Sequence, residues 1–116
     1  MKDSIVKDKS KAFALRIIKL YKYLTTNASE REYVLSKQVL RSGTSIGANV
    51  KEALRGQSKP DFRAKMAIAL KEASETEYWL ELLHESDYIE EKAFLSIYED
   101  NTELLKILTR IVKNSE

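Results

Sequence analysis

Apolar residues return every three or four positions along almost the whole chain, a period that helices satisfy and strands do not. In the first run Phe13, Ile17, Leu20 and Leu24 recur at steps of four and three, with Ala14, Ile18 and Tyr21 widening the stripe. This predicts an amphipathic helix from Ser4 or Ser10 to Thr25, with Arg16, Lys19 and Lys22 on another side. The stretch TTNAS, residues 25–29, reads as the turn that follows.

A second run starts near Glu30 and continues through Leu35, Val39, Ser42, Ile46, Asn49 and Ala53. The third is announced by Ser58-Lys59-Pro60-Asp61, in which Ser is a good N-cap, Pro is tolerated in the first turn, and Asp sits three residues after Ser. Its stripe is Phe62, Met66, Ala69, Ala73, Thr76, Leu80 and Leu83, and it ends near Ser86-Asp87. The fourth run, about Glu90 to Lys113, carries Phe94, Ile97, Leu104, Leu108 and Ile111 beside Tyr98, Leu105 and Val112.

With 3 Gly and 1 Pro in 116 residues, there is little material for long loops. Four helices of roughly 20 residues, each about 30 Å long, joined by short turns must run antiparallel to their neighbours. The expectation is an all-α, up-down-up-down four-helix bundle forming a single domain over residues 1–116.

One short stretch suggests different chemistry. Gly43-Thr44-Ser45-Ile46-Gly47 spells G-x-S-x-G, the nucleophile-elbow pattern of serine hydrolases. An elbow needs a strand that enters a strained turn above a sheet, whereas here the helical period passes straight through. The glycines, four apart on one helix face beside Ser42 and Ala48, read instead as a groove for close backbone approach. Ala64, Ala67, Ala69, Ala73 and Ser74 of the third helix are the expected facing surface.

Polar residues also fall near the stripes. Asn49 lies on the second stripe with Glu52 three residues later, so the pair is expected to hydrogen-bond in the interior and fix helix register. Glu81-Leu82-Leu83-His84 matches the E-x-x-H pattern of di-iron bundles, but those sites need two such motifs. With 1 His in the chain the second motif cannot exist. No metal, cofactor, small-molecule substrate or enzymatic activity is expected.

Charge is distributed unevenly. Residues 1–71 hold 16 Lys/Arg against 6 Asp/Glu, and residues 72–116 hold 4 against 12. Such polarity draws a polyanion to the basic half, draws copies of the chain together, or is spent on pairs between adjacent helices. There is no cysteine, no apolar run fit for a signal peptide and no run of about 18 apolar residues for a membrane span, so a cytoplasmic protein without membrane contact is expected.

RSGTSIGANVKEA, residues 41–53, followed by SKPDFRAKMAIALKEASETEYWLELL, residues 58–83, resembles the four-helix-bundle proteins named for the intervening sequences of bacterial 23S rRNA genes. The resemblance extends over nearly the whole chain. It implies a small cytoplasmic bundle that often assembles as a homopentameric ring, without established enzymatic activity, related to the nucleic-acid-binding accessory proteins of diversity-generating retroelements. On it, Ser45, Ile46, Ala48, Asn49 and Glu52 match the family core, and Glu75 matches the third-helix glutamate. Ser45, Asn49, Glu52 and Glu75 are thus the expected structural polar core. Gly47 stands where many members have Pro, and Leu54 where many have Gly; both departures concern local helix geometry.

Two functions of different kind follow. In the first, an oligomeric bundle contacts RNA or DNA phosphates through Arg16, Lys19, Lys22, Arg41, Lys51, Arg55, Lys59 and Arg63, with Lys7, Lys9, Lys11, Lys37 and Lys65 widening the set. In the second, the chain is a structural or adaptor protein acting through self-assembly or protein contacts. Tyr78 and Trp79, off the main stripe of the third helix, would anchor the interface in either case.

Overall fold

A computed structural model describes residues 2–27 and 30–116, with the side chains of residues 5–26 and 30–116. Four α-helices account for most of it: α1 (Lys2–Lys22), α2 (Leu35–Leu54), α3 (Lys59–Glu85) and α4 (Glu91–Asn114). A short π-helical turn, Tyr23–Asn27, finishes α1. The expected turn at residues 25–29 therefore begins inside this extension, and its last two residues, Ala28 and Ser29, lie outside the described residues. The molecule measures 47 × 20 × 20 Å, so the helices run the length of one rod.

The helices are joined in a cycle, α1 beside α2, α2 beside α3, α3 beside α4, and α4 closing back on α1. Contacts between neighbours run in opposite chain directions. Ile17 and Ser10 of α1 meet Gly43 and Gly47 of α2, and Asn101 and Tyr98 of α4 meet Ala73 and Glu81 of α3. This is the antiparallel up-down-up-down bundle that the spacing predicts. Its interior is built from the predicted stripes, with Phe13, Ile17, Val39, Ile46, Met66, Leu80, Leu83, Leu104 and Leu108 all buried. The α1–α4 seam is the thinnest, and polar pairs stitch it: Lys9 to Glu103 at 3.1 Å, and Arg16 to Asp100 at 2.6 Å.

Helix ends show local chemistry at work. Ser58 caps α3 as expected, its hydroxyl accepting from the Asp61 amide at 3.2 Å, with Pro60 in the first turn. At the other end, the Tyr88 and Asp87 amides donate to the Leu83 and His84 carbonyls at 2.9 and 3.1 Å. Asp87 holds the left-handed conformation there (φ 67°), which closes the helix in a Schellman turn that Asp tolerates better than branched residues do.

Helix α2 begins at Leu35 and not near Glu30, because Glu32 folds back to serve as its cap. The Glu32 carboxylate accepts the amides of Val34, Leu35 and Ser36 at 3.0, 2.9 and 2.6 Å. The Ser36 hydroxyl donates to the Glu32 carbonyl at 2.8 Å, and the Glu32 amide donates to the Leu24 carbonyl at 2.9 Å. Val34, which precedes the helix, has no side-chain acceptor to offer, so a buried carboxylate two residues earlier satisfies the orphan donors.

The glycine face of α2 packs on α1, not on the alanines of α3. A Cβ on Gly43 would lie 2.7 Å from Ile17 Cγ1, and one on Gly47 would lie 3.3 Å from the Ser10 carbonyl oxygen. The two glycines let α1 approach closely, while buried Ala69 and Ala73 of α3 face the common interior. Gly43→Val is expected to destabilise the fold by about 1–3 kcal/mol in urea denaturation, since Ile17 is fully buried and has no room to retreat. Ala48→Val, on the exposed side of the same helix, should change stability by less than about 0.5 kcal/mol.

Candidate functional site

The polar residues expected to form the core occupy its margin. Glu52 is exposed and pairs with Lys65 of α3 at 3.0 Å. Asn49 is half-buried and donates to the Ser45 carbonyl one turn back at 2.8 Å; the expected Asn49–Glu52 hydrogen bond is not made. Ser45 likewise donates to its own helix, to the Arg41 carbonyl at 2.6 Å. The three residues lie toward the α2–α3 edge of the stripe, where solvent reaches them and local backbone partners suffice. Ser45 is also remote from any nucleophile geometry, since its hydroxyl hydrogen is committed within a helix.

Other groups form the buried polar layer. Thr76 donates to the Glu72 carbonyl at 2.8 Å and accepts from the Ser42 hydroxyl at 2.8 Å, linking α3 to α2, and Asn101 donates to the Ala73 carbonyl at 3.0 Å, linking α4 to α3. All three side chains are inaccessible to solvent. Ser42 and Thr76 lie on the predicted stripes, but the period alone does not pair them. Asn101 gave no signal, because an Asn within a helical run is most often exposed.

Glu75 holds a different position from the one expected. It accepts from the Trp79 indole N–H at 2.9 Å and forms an ion pair with Arg41, which also reaches Glu72 at 3.3 Å. Trp79 itself is half-buried against the core and tilts against Tyr78, with ring centroids 5.3 Å apart. Of the two anchor residues, Tyr78 alone is largely exposed, at 54%, and Ile68, at 42%, joins it on the outer side of α3.

Glu81 and His84, the E-x-x-H residues, are engaged with α4. Glu81 accepts from the Tyr98 hydroxyl at 2.6 Å, and His84 stacks on Phe94 at 4.1 Å. The Glu81 hydrogen bond, desolvation and the Glu77 charge together push the Tyr98 phenol well above its ordinary value of 10.0. Among the described residues no group of three His, Cys, Asp or Glu side chains converges on a metal-sized site.

The predicted phosphate-binding cations do not share one surface. Arg16 faces α4, where it meets Asp100 and the Ser96 hydroxyl and carbonyl. Lys19 lies beside it in a groove shared with Tyr23, Ile89, Glu90 and Ala93. Arg41 is tied to the α3 glutamates, and Arg63 pairs with Glu116 at 3.3 Å. Lys59 lines the same end as Arg63, while Lys22 is exposed at the far end of α1.

Lys51 and Arg55 are different. With Lys7 and Lys11 of α1 they surround a groove of about 450 Å³ between α1 and α2, floored by Ala14, Thr44, Gly47 and Ala48. Lys7 and Lys11 are four residues apart on α1, about 6 Å along the axis, Lys51 and the C-cap Arg55 are likewise four apart at the end of α2, and the Gly47–Ser10 approach draws the two rows together. Among the described side chains no acidic one lines the groove, and none forms an ion pair with any of the four cations. Lys7 and Lys11 belong to the wider set of cations named from sequence. What sequence withheld was their alignment with Lys51 and Arg55. A second cleft at this end, lined by Ile5, Phe62, Ile107 and Ile111, is apolar and carries one cation, Arg110.

Fold and groove together define a class: a small antiparallel four-helix bundle with a groove lined by four cations that pair with no described acidic side chain, and with no metal-sized cluster among the described residues. The chain belongs to the 23S rRNA-intervening sequence protein family, whose model matches residues 2–110. It is similar to a crystal structure, at 1.70 Å resolution, of a protein with unknown function from the S23 ribosomal protein family of Bacteroides thetaiotaomicron VPI-5482. The two are 57% identical with a TM-score of 0.93, over 97% of this chain and 99% of the other. A comparison with curated proteins returns no match. No described helix is long and apolar enough to cross a membrane.

Proposed function

We propose that this protein is a non-enzymatic, self-assembling bundle that binds RNA or DNA by its phosphates through the α1–α2 groove. The observation that carries this reading is the set Lys7, Lys11, Lys51 and Arg55, gathered around one groove that no described acidic side chain lines. Like charges held this close repel one another, and they lower their energy by taking up an anion of matching spacing. Such a surface responds to charge and shape and carries no base-specific readout.

If four phosphates are neutralised, the log of the affinity for duplex falls with log salt at a slope near about −3.6. A titration from about 50 to 200 mM salt with labelled nucleic acid measures it. No shift at the lowest salt overturns the nucleic-acid reading.

Self-assembly rests on a separate observation, the exposed Ile68 and Tyr78 on the outer side of α3. Both are large apolar side chains that contact with a like surface would remove from water. A ring of five copies is the expected form, and light scattering that finds only the 13.4 kDa species at micromolar concentration overturns it. An assembled protein that binds no nucleic acid would instead be an adaptor acting through protein contacts.

A further inference from the structure

We infer that the α1–α2 groove prefers the backbone of a double-stranded nucleic acid to that of a single strand. The inference rests on the nucleic-acid reading above and concerns which form of the polyanion this groove takes.

Proteins that hold single strands join a basic track to aromatic side chains on which the bases stack, and stacking offsets the ordering of a flexible strand. None of the residues lining this groove is aromatic. The exposed tyrosines lie elsewhere: Tyr23 in the α1–α4 groove, Tyr33 before α2, and Tyr78 on the outer side of α3. The floor offers no platform either, since Ala14, Gly47 and Ala48 are small and the Thr44 hydroxyl donates to the Leu40 carbonyl at 2.7 Å. A splayed base would therefore find neither a stacking partner nor a side-chain amide.

What the groove does present is a set of cations rooted on a fixed backbone. Lys7 and Lys11 stand on α1, Lys51 on α2 and Arg55 at its C-cap, and the Gly43–Ile17 and Gly47–Ser10 contacts hold the two helices together, so the roots of the four side chains are placed before any ligand arrives. Fixed roots suit a ligand whose phosphates are themselves held in place. The duplex supplies this, with about one charge per 1.7 Å of axis, and requires no ordering of its backbone on binding. Its denser counterion atmosphere also releases more ions per contact than a single strand does.

The test is equilibrium binding of the full chain to a labelled duplex of about 20 base pairs and to one of its strands alone, at matched salt. With four contacts and equal affinity at 1 M salt, the two slopes, about −3.6 and −2.8, separate the ligands by about tenfold at about 50 mM salt. The expected result is tighter binding of the duplex by at least that factor, abolished for both ligands by Lys11→Glu with Lys51→Glu in a chain that keeps its helical circular dichroism. A single strand bound as tightly as the duplex, and still sensitive to that double change, overturns the preference while leaving the proposed function standing. If neither ligand is bound, both fall.

Discussion

Reversing Lys51 and Arg55 to Glu is expected to weaken duplex binding by about 200-fold at about 50 mM salt. Both residues are exposed, Lys51 in the last turn of α2 and Arg55 at its C-cap, and neither takes part in an ion pair with a described residue, so their loss leaves no buried partner behind. Removing two of four phosphate contacts halves the salt slope to about −1.8, and the new carboxylates repel the backbone further. Arg16→Glu gives the contrast. Its guanidinium already faces Asp100 and Ser96, so reversal disturbs the α1–α4 seam and should change affinity far less than the double change does. If Arg16→Glu weakens binding as much as the Lys51 and Arg55 pair, the binding surface is the α1–α4 side and the groove assignment is wrong. A filter-binding series on the three proteins at several salt concentrations decides it.

Glu32→Ala is expected to lower stability by about 2–3 kcal/mol, seen as a drop of about 10 °C in the thermal midpoint. The carboxylate answers three consecutive backbone amides, and alanine leaves them without an acceptor in a place where water has little access. Glu32→Gln keeps one acceptor oxygen and should cost about 1 kcal/mol. The neighbouring Arg31 is exposed, and its replacement by Ala should be nearly silent. A Glu32→Ala protein within about 0.5 kcal/mol of the parent would mean that the segment before α2 recruits another cap.

The difference between Glu32 and Ser58 shows which caps a sequence discloses. Ser58 caps the third amide after it, a relation contained in four consecutive residues and readable from them. Glu32 caps α2 only because its own amide is drawn to the Leu24 carbonyl, across the turn from α1. Without that long-range contact, Glu30 to Val34 look like the opening turn of a helix.

The polar interior divides in the same way. Ser42 and Thr76 sit on stripes that the period marks as inward, yet their hydrogen bond depends on the level at which α2 and α3 are aligned. Asn49, also on a stripe, falls at its edge, where the width of the neighbouring helix decides between interior and solvent. The glycines required close packing, and that requirement was legible. Their partner was not, because Gly43 and Gly47 sit toward the α1 side of the stripe, a matter of tens of degrees around the helix axis.

By itself, the order of residues determined the four helices, their antiparallel course, the cap at Ser58 and the family, because each depends on spacing within a few turns of one helix or on a continuous motif. Only the tertiary structure decided which charges face one another. A helical period places Arg16, Arg41, Lys51 and Arg55 on the outside of their own helices equally well. Packing then sets Arg16 opposite Asp100 and Arg41 opposite Glu72 and Glu75, where they are neutralised, and sets Lys51 and Arg55 opposite Lys7 and Lys11, where they are not. Coulomb energy depends on distance in space, and distance between helices is the quantity that a single helix's periodicity does not contain.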